Sequence, residues 1–149
     1  MTRIARLLER ISLRHGATCL IRAGGAVSGA QLADRVRAWK RHLDDRAIGR
    51  GRVVGLQSEF SVDAIALHLA LLSRGCVTAL LPRHEAADTP MLRDCGAIGV
   101  FVQQDGGAFA FQSCPEPAEH ELVRTLRERG GAGFVLFSSG STGQPKAIL

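Results

Sequence analysis

What most constrains this chain is an alternation. Between Arg52 and Phe137, short runs of apolar residues trade places with helix-spaced segments, and each exchange is marked by glycine, proline or a capping side chain. Residues 52–57 read as a short apolar strand. Ser61 then caps a helix through Val62, Ile65, Leu69 and Leu72, which Gly75 stops. Residues 76–81 make a second apolar strand that ends at Pro82, after which Thr89 and Pro90 fit an N-cap and a first helical position, with Gly96 as the stop. Residues 98–103 form the third strand, and a turn at Asp105-Gly106 folds residues 108–111 back on it as a hairpin. The acidic stretch 115–121 leads into a helix through Leu122 and Leu126, closed by Gly130 and Gly131, and residues 133–137 follow as another strand. Parallel neighbours need crossover connections, and helices supply them here. The expected fold is therefore α/β, with a mostly parallel sheet flanked by helices.

Upstream of this alternation, Ile4, Leu7, Leu8 and Ile11 make one apolar face on a satellite helix that Thr2 is placed to cap. Residues 17–21 read as a strand, Gly24-Gly25 as a turn and Ala26-Val27 as its return, ending at Ser28. Ser28 is the expected N-cap of a helix whose inner face carries Leu32, Val36, Trp39 and Leu43, so Trp39 is expected to pack. At the other end of the sequence, residues 147–149 begin a further strand.

With 149 residues, 46% of them hydrophobic, the chain can bury one core without disulfides or metals. Its longest nearly apolar run, residues 64–81, contains His68, Ser73, Arg74 and Gly75, so no membrane span is expected. Glu9, Arg10 and Arg14 interrupt the basic N-terminus before an apolar stretch develops, which argues against a secretory signal. Cys19, Cys76, Cys95 and Cys114 form no C-x-x-C pair, and His15, His42, His68, His84 and His120 show no ligand spacing. The expectation is reduced, mostly buried thiols, no metal site and a cytoplasmic location. Glu59 and Asp63 follow a strand end, where α/β sheets bind ligands, although a solvated loop is the favoured explanation of both. The net charge of +5 is lopsided, with +8 in residues 1–52 and −3 in residues 53–149. The arginines of the basic part are spread around helices rather than interleaved with aromatics, so nucleic acid is not the expected partner.

The chemistry concentrates in one loop. Ser138, Ser139, Gly140, Ser141, Thr142, Gly143, Gln144, Pro145 and Lys146 follow a strand and bring together four hydroxyls, two glycines and one ammonium. Glycines let several backbone N–H groups face one way, hydroxyls add donors, and the lysine supplies a point charge, all suited to polyphosphate. A Walker loop requires glycine before the lysine and serine or threonine after it, whereas Lys146 stands between Pro145 and Ala147. A nucleophile elbow fails because Phe137 and Ser139 occupy the positions two before Ser139 and Ser141. An S-x-x-K nucleophile fails because Gly143 lies three before Lys146. The chain has only two lysines, Lys40 and Lys146, against seventeen arginines, which sets Lys146 apart from the prevailing preference.

This loop resembles the phosphate-binding signature of the AMP-forming adenylating enzymes, the superfamily of acyl-CoA synthetases, nonribosomal-peptide adenylation domains and luciferases. That signature reads two Ser/Thr, Gly, Ser/Thr, Thr, Gly, any residue, Pro and Lys, and residues 138–146 match every position. Upstream, VSGAQLADRVRAWKRHL, RGRVVGLQSE and AIALHLALLSRGCVTALLP are similar to the family's early helix, first core strand, and next helix and strand. Two positions depart from the pattern: Ala147 stands where glycine is usual, and Arg52 where aspartate often follows Gly51.

The resemblance implies the first part of the large N-terminal domain of adenylate-forming enzymes. It implies a carboxylic-acid substrate, ATP with Mg2+, and coenzyme A or a carrier-protein thiol as acceptor. In this reading Ser138, Ser139, Gly140, Ser141, Thr142 and Gly143 cradle the β- and γ-phosphates while Lys146 neutralises the leaving group. Residues 1–149 are expected to be a partial N-terminal domain without the C-terminal domain, unable to complete adenylation alone; one further hypothesis is a split synthetase whose remainder a second chain supplies. The alternatives are a non-catalytic nucleotide- or phosphate-binding or interaction module and an inactive, truncated relic.

Overall fold

A computed structural model describes residues 3–14, 16–22, 25–82, 90–114, 120–139 and 145–149. In chain order the elements are α1 (Arg3–Leu13), β1 (Thr18–Arg22), β2 (Gly25–Ser28), α2 (Gly29–Asp45), β3 (Val53–Gln57), α3 (Val62–Ser73), β4 (Val77–Leu81), α4 (Pro90–Asp94), β5 (Ala97–Gln103), β6 (Phe109–Ser113), α5 (Glu121–Glu128), β7 (Gly133–Ser139) and β8 (Pro145–Ile148). The fold class is the expected one. One six-stranded sheet runs β6-β5-β3-β4-β7-β8, and β1 with β2 makes a separate antiparallel pair. The four inner strands are parallel neighbours, while β6 and β8 return antiparallel at the two edges.

Local chemistry explains where the helices start and stop. Ser28 Oγ accepts from the Gln31 N–H at 3.2 Å and Gln31 Oε1 accepts from the Ser28 N–H at 2.9 Å, a reciprocal capping box that opens α2. Ser61 Oγ accepts from the Ala64 N–H at 3.1 Å and opens α3. Gly75 at φ +74° follows α3, a left-handed turn that a Cβ would strain. Thr2, Thr89 and His84 lie outside the described residues.

Both faces of β3 are covered, which is why its five residues read as one apolar run rather than an alternation. Val54 and Leu56 join Leu32, Val36, Leu67 and Leu71 in the core beneath α2 and α3. Val53 faces the second core with Val77, Leu92, Val100 and Val123, covered by α4 and α5. Gly55 lies where β3 comes closest to this layer, since a Cβ there would fall 2.8 Å from Val100 Cβ. Trp39 packs as expected, edge-on to Phe101 at 5.6 Å and to Phe109 at 5.5 Å.

The expectation of mostly buried thiols is corrected for half of them. Cys76 and Cys95 are buried, but Cys19 on the separate β1–β2 ribbon and Cys114 just past β6 are half-buried, because neither has a layer on both sides. Among the described residues no helix is long and apolar enough to cross a membrane.

Candidate phosphate-binding site

The parallel strands deliver their carboxyl ends to one edge of the sheet, at Gln57, Leu81, Gln103 and Ser139. This edge is where open α/β sheets hold ligands. A polar network ties it together. Gln57, almost fully buried, donates from Nε2 to the Pro82 carbonyl at 3.0 Å, joining the ends of β3 and β4. Gln103 Oε1 accepts from the Glu59 N–H at 3.0 Å and its Nε2 donates to Ser61 Oγ at 3.4 Å, so β5 holds the loop that opens α3. Sequence reasoning missed both glutamines. Their signal was an amide closing an otherwise apolar strand, a polar group that burial obliges to find a partner.

The nine-residue motif sits on a hairpin. β7 continues through Ser138 and Ser139, and β8 begins at Pro145, with Ser138 opposite Lys146 and Ser139 opposite Pro145. The backbone of both flanks is thus fixed by an antiparallel ladder, and Lys146 is brought level with the first serine of the motif. Gly140, Ser141, Thr142 and Gly143 lie outside the described residues, as does Gln144, and for Ser138, Ser139 and Lys146 the description is of the backbone. Pro145 occupies the first position of an edge strand, where the lack of an N–H is tolerated.

Other candidates resolve into structural roles. Asp63 takes both carboxylate oxygens to Arg35 Nη1 at 2.6 and 2.7 Å, an ion pair between α3 and α2. Burial pushes the thiols of Cys76 and Cys95 up to about 11, so neither is a thiolate nucleophile near neutral pH. His68 packs edge-on to Phe134 with ring centroids 6.3 Å apart, and burial holds its imidazole below the usual histidine range. Its Nδ1 is buried without a partner among the described residues, as is Thr78 Oγ1 on β4. Among the described residues no group of three or more His, Cys, Asp or Glu side chains is placed to hold a metal ion.

Comparison with known proteins gives the same fold and the same region. No family model matches the sequence. A plipastatin synthase polypeptide of Bacillus subtilis is 31% identical over 155 residues, covering 94% of this chain and 6% of that protein. Among solved structures, VinN in complex with L-aspartate superposes with a TM-score of 0.71 at 18% identity, covering 97% of this chain and 46% of that one. The Klebsiella oxytoca NpsA N-terminal subdomain in complex with 3-hydroxybenzoyl-AMSN superposes with a TM-score of 0.68 at 24% identity, covering 97% and 39%. The chain therefore has the α/β fold of the N-terminal domains of adenylate-forming enzymes. Fold, motif and sequence similarity agree in setting the chain beside the AMP-dependent synthetase/ligase superfamily. The chain spans a small fraction of the length of the curated relatives it matches, 3% and 6% for two of them.

Proposed function

We propose that this chain carries the phosphate-gripping part of an ATP-dependent carboxylate-activating enzyme. In the reaction a substrate carboxylate oxygen bonds to the α-phosphorus of ATP, the bond from that phosphorus to the bridging oxygen breaks, and pyrophosphate departs with the charge. The sulfur of coenzyme A or a carrier-protein thiol then bonds to the acyl carbon of the adenylate, the bond from that carbon to the phosphate oxygen breaks, and AMP departs as the thiol proton is lost. The observation that carries this reading is the complete nine-residue match at residues 138–146, whose two flanks pair as the end of β7 and the start of β8. Ser138, Ser139, Gly140, Ser141, Thr142 and Gly143 supply N–H and hydroxyl donors to the β- and γ-phosphates, and the Lys146 ammonium offsets the charge that develops on the leaving group. Mg2+ arrives on the nucleotide, since magnesium keeps much of its shell in waters and phosphate oxygens.

Residues 1–149 act as the front part of a soluble, cytoplasmic enzyme, and the adenine-binding groups come from a further segment or a second chain. The complexes of VinN with L-aspartate and of NpsA with 3-hydroxybenzoyl-AMSN support a carboxylic-acid substrate.

Calorimetry with Mg-ATP tests the assignment. Lys146→Ala is expected to weaken ATP binding by roughly tenfold, the scale of one charge-assisted contact to phosphate. Equal affinity in the two proteins overturns the phosphate role. Mass spectrometry for acyl-adenylate with a panel of fatty, aromatic and amino acids then separates turnover from binding alone.

A further inference from the structure

At the amino-terminal edge of the parallel strands, opposite the hairpin, a cavity of about 570 Å³ opens between the start of α1, the end of α3 and the segment after α5. Its charged lining is Arg3, Arg50 and Arg74, with no aspartate or glutamate among the lining residues. Arg74 is partly committed, since its Nη1 lies 2.6 Å from Asp44 and its Nε donates to the Ile48 carbonyl at 3.0 Å. The side chains of Arg3 and Arg50 make no hydrogen bond or ion pair among the described residues.

Arg50 is exposed, but its side chain rests on the protein surface. Its side chain lies across the glycines that end α3 and α5: a Cβ on Gly130 would collide with its Nη2, and a Cβ on Gly75 would fall 3.0 Å from its Cγ. Both glycines have positive φ, so these positions exclude side chains on conformational grounds as well and leave a trough that the arginine fills. The C-terminal ends of α3 and α5 account for part of this clustering, because each presents roughly half a negative charge that favours a cation. Half charges do not saturate full ones. Arg50 donates to neither helix end, and two guanidiniums without carboxylates leave the cavity positive.

We propose that this cavity is a second anion site, taking a phosphate or diphosphate group in the forks of Arg3 and Arg50 with Arg74 adding to the field. Guanidinium forks match phosphate oxygens in pairs, and the volume lies within the range of small-ligand sites. β7 runs from this edge to the hairpin, and its seven residues separate the two sites by roughly 20 Å at about 3.3 Å per residue. The site is thus distinct from the one proposed for ATP and stands whether or not that reading holds.

Titrating inorganic pyrophosphate into the isotopically labelled 149-residue chain is expected to shift the amide resonances of Gly75, Gly130 and Gly131 saturably. Arg50→Gln and Arg3→Gln are each expected to weaken that binding roughly tenfold, and Lys146→Ala to leave those three shifts in place. Sedimentation with phosphatidylcholine vesicles containing phosphatidic acid separates the sources: co-sedimentation lost in Arg50→Gln assigns a lipid headgroup, and pyrophosphate binding without co-sedimentation assigns a free phosphate compound. Should Arg50→Gln fail to fold, Arg3→Gln at the exposed start of α1 carries the test. Absence of the glycine shifts, their persistence at full affinity in Arg3→Gln, or their loss in Lys146→Ala overturns the proposal.

Discussion

At one edge of the sheet β6 returns antiparallel to β5 across a tip containing Asp105, Gly106 and Gly107; at the other, β8 returns antiparallel to β7 across residues 140–144. The first hairpin is sealed into the protein. Phe111 opposes Phe101, their rings 4.8 Å apart, and Trp39 closes over Phe101 and Phe109. Gly99 makes room for this arrangement, since a Cβ there would meet the Phe111 ring. The second hairpin is apolar on a face that the described residues leave open: Phe134 is 47% exposed, Leu136 45% and Ile148 56%. One hairpin is closed over by aromatic packing, whereas the other gives Val135 and Phe137 to the second core and leaves Phe134, Leu136 and Ile148 exposed on its opposite face.

The contrast is broken most directly at Phe101. Phe101→Ala is expected to cost about 3–5 kcal/mol, because a fully buried ring with aromatic partners leaves a cavity that the sheet cannot close. Urea unfolding checks it, and a loss below about 1 kcal/mol would show that the first hairpin is no better anchored than the second. A smaller effect comes from His68, against the second hairpin. Its folded-state pKa lies below the unfolded value of 6.5, so lowering the pH through 6.5 protonates the unfolded chain first and stability falls, levelling off below the folded pKa. His68→Gln is expected to flatten that decline, read as the difference in melting temperature between neutral and mildly acidic buffer; an unchanged slope would remove His68 as its source. The smallest effect is expected at Phe134, where Phe134→Ser changes unfolding free energy by about 1 kcal/mol or less. A loss comparable to that of Phe101→Ala would show that this face of the second hairpin is packed as tightly as the first hairpin.

Much of the fold was legible because its signals are local. Ser28 and Ser61 as caps, Gly75 as a stop, and Asp105-Gly106 as a turn each act within a few residues, and all four stand where the sequence puts them. The motif itself was equally legible, being a contiguous string. Its setting was not. That Ser138 and Ser139 continue a strand, and that Lys146 stands opposite Ser138, depends on pairing between two segments that no periodicity encodes. The Gln57 and Gln103 contacts escaped for the same reason, as did the seat of Arg50 across Gly75 and Gly130, which joins residues distant in sequence. The lopsided charge was visible from the start, but only the fold gathers Arg3, Arg50 and Arg74 around one cavity.

The start of β8 has a consequence for how the chain behaves in a crowd. β8 is the last strand of the sheet, and an outermost strand invites any other extended chain to add itself by backbone pairing. It opens with Pro145, which removes one donor from the ladder, followed by Lys146, whose charge resists burial between strands. These are the two residues that proteins most often place on an edge to keep it from growing. Pro145 and Lys146 therefore also disfavour growth of this edge, so Lys146→Ala is expected to lower solubility as well as the affinity proposed for nucleotide.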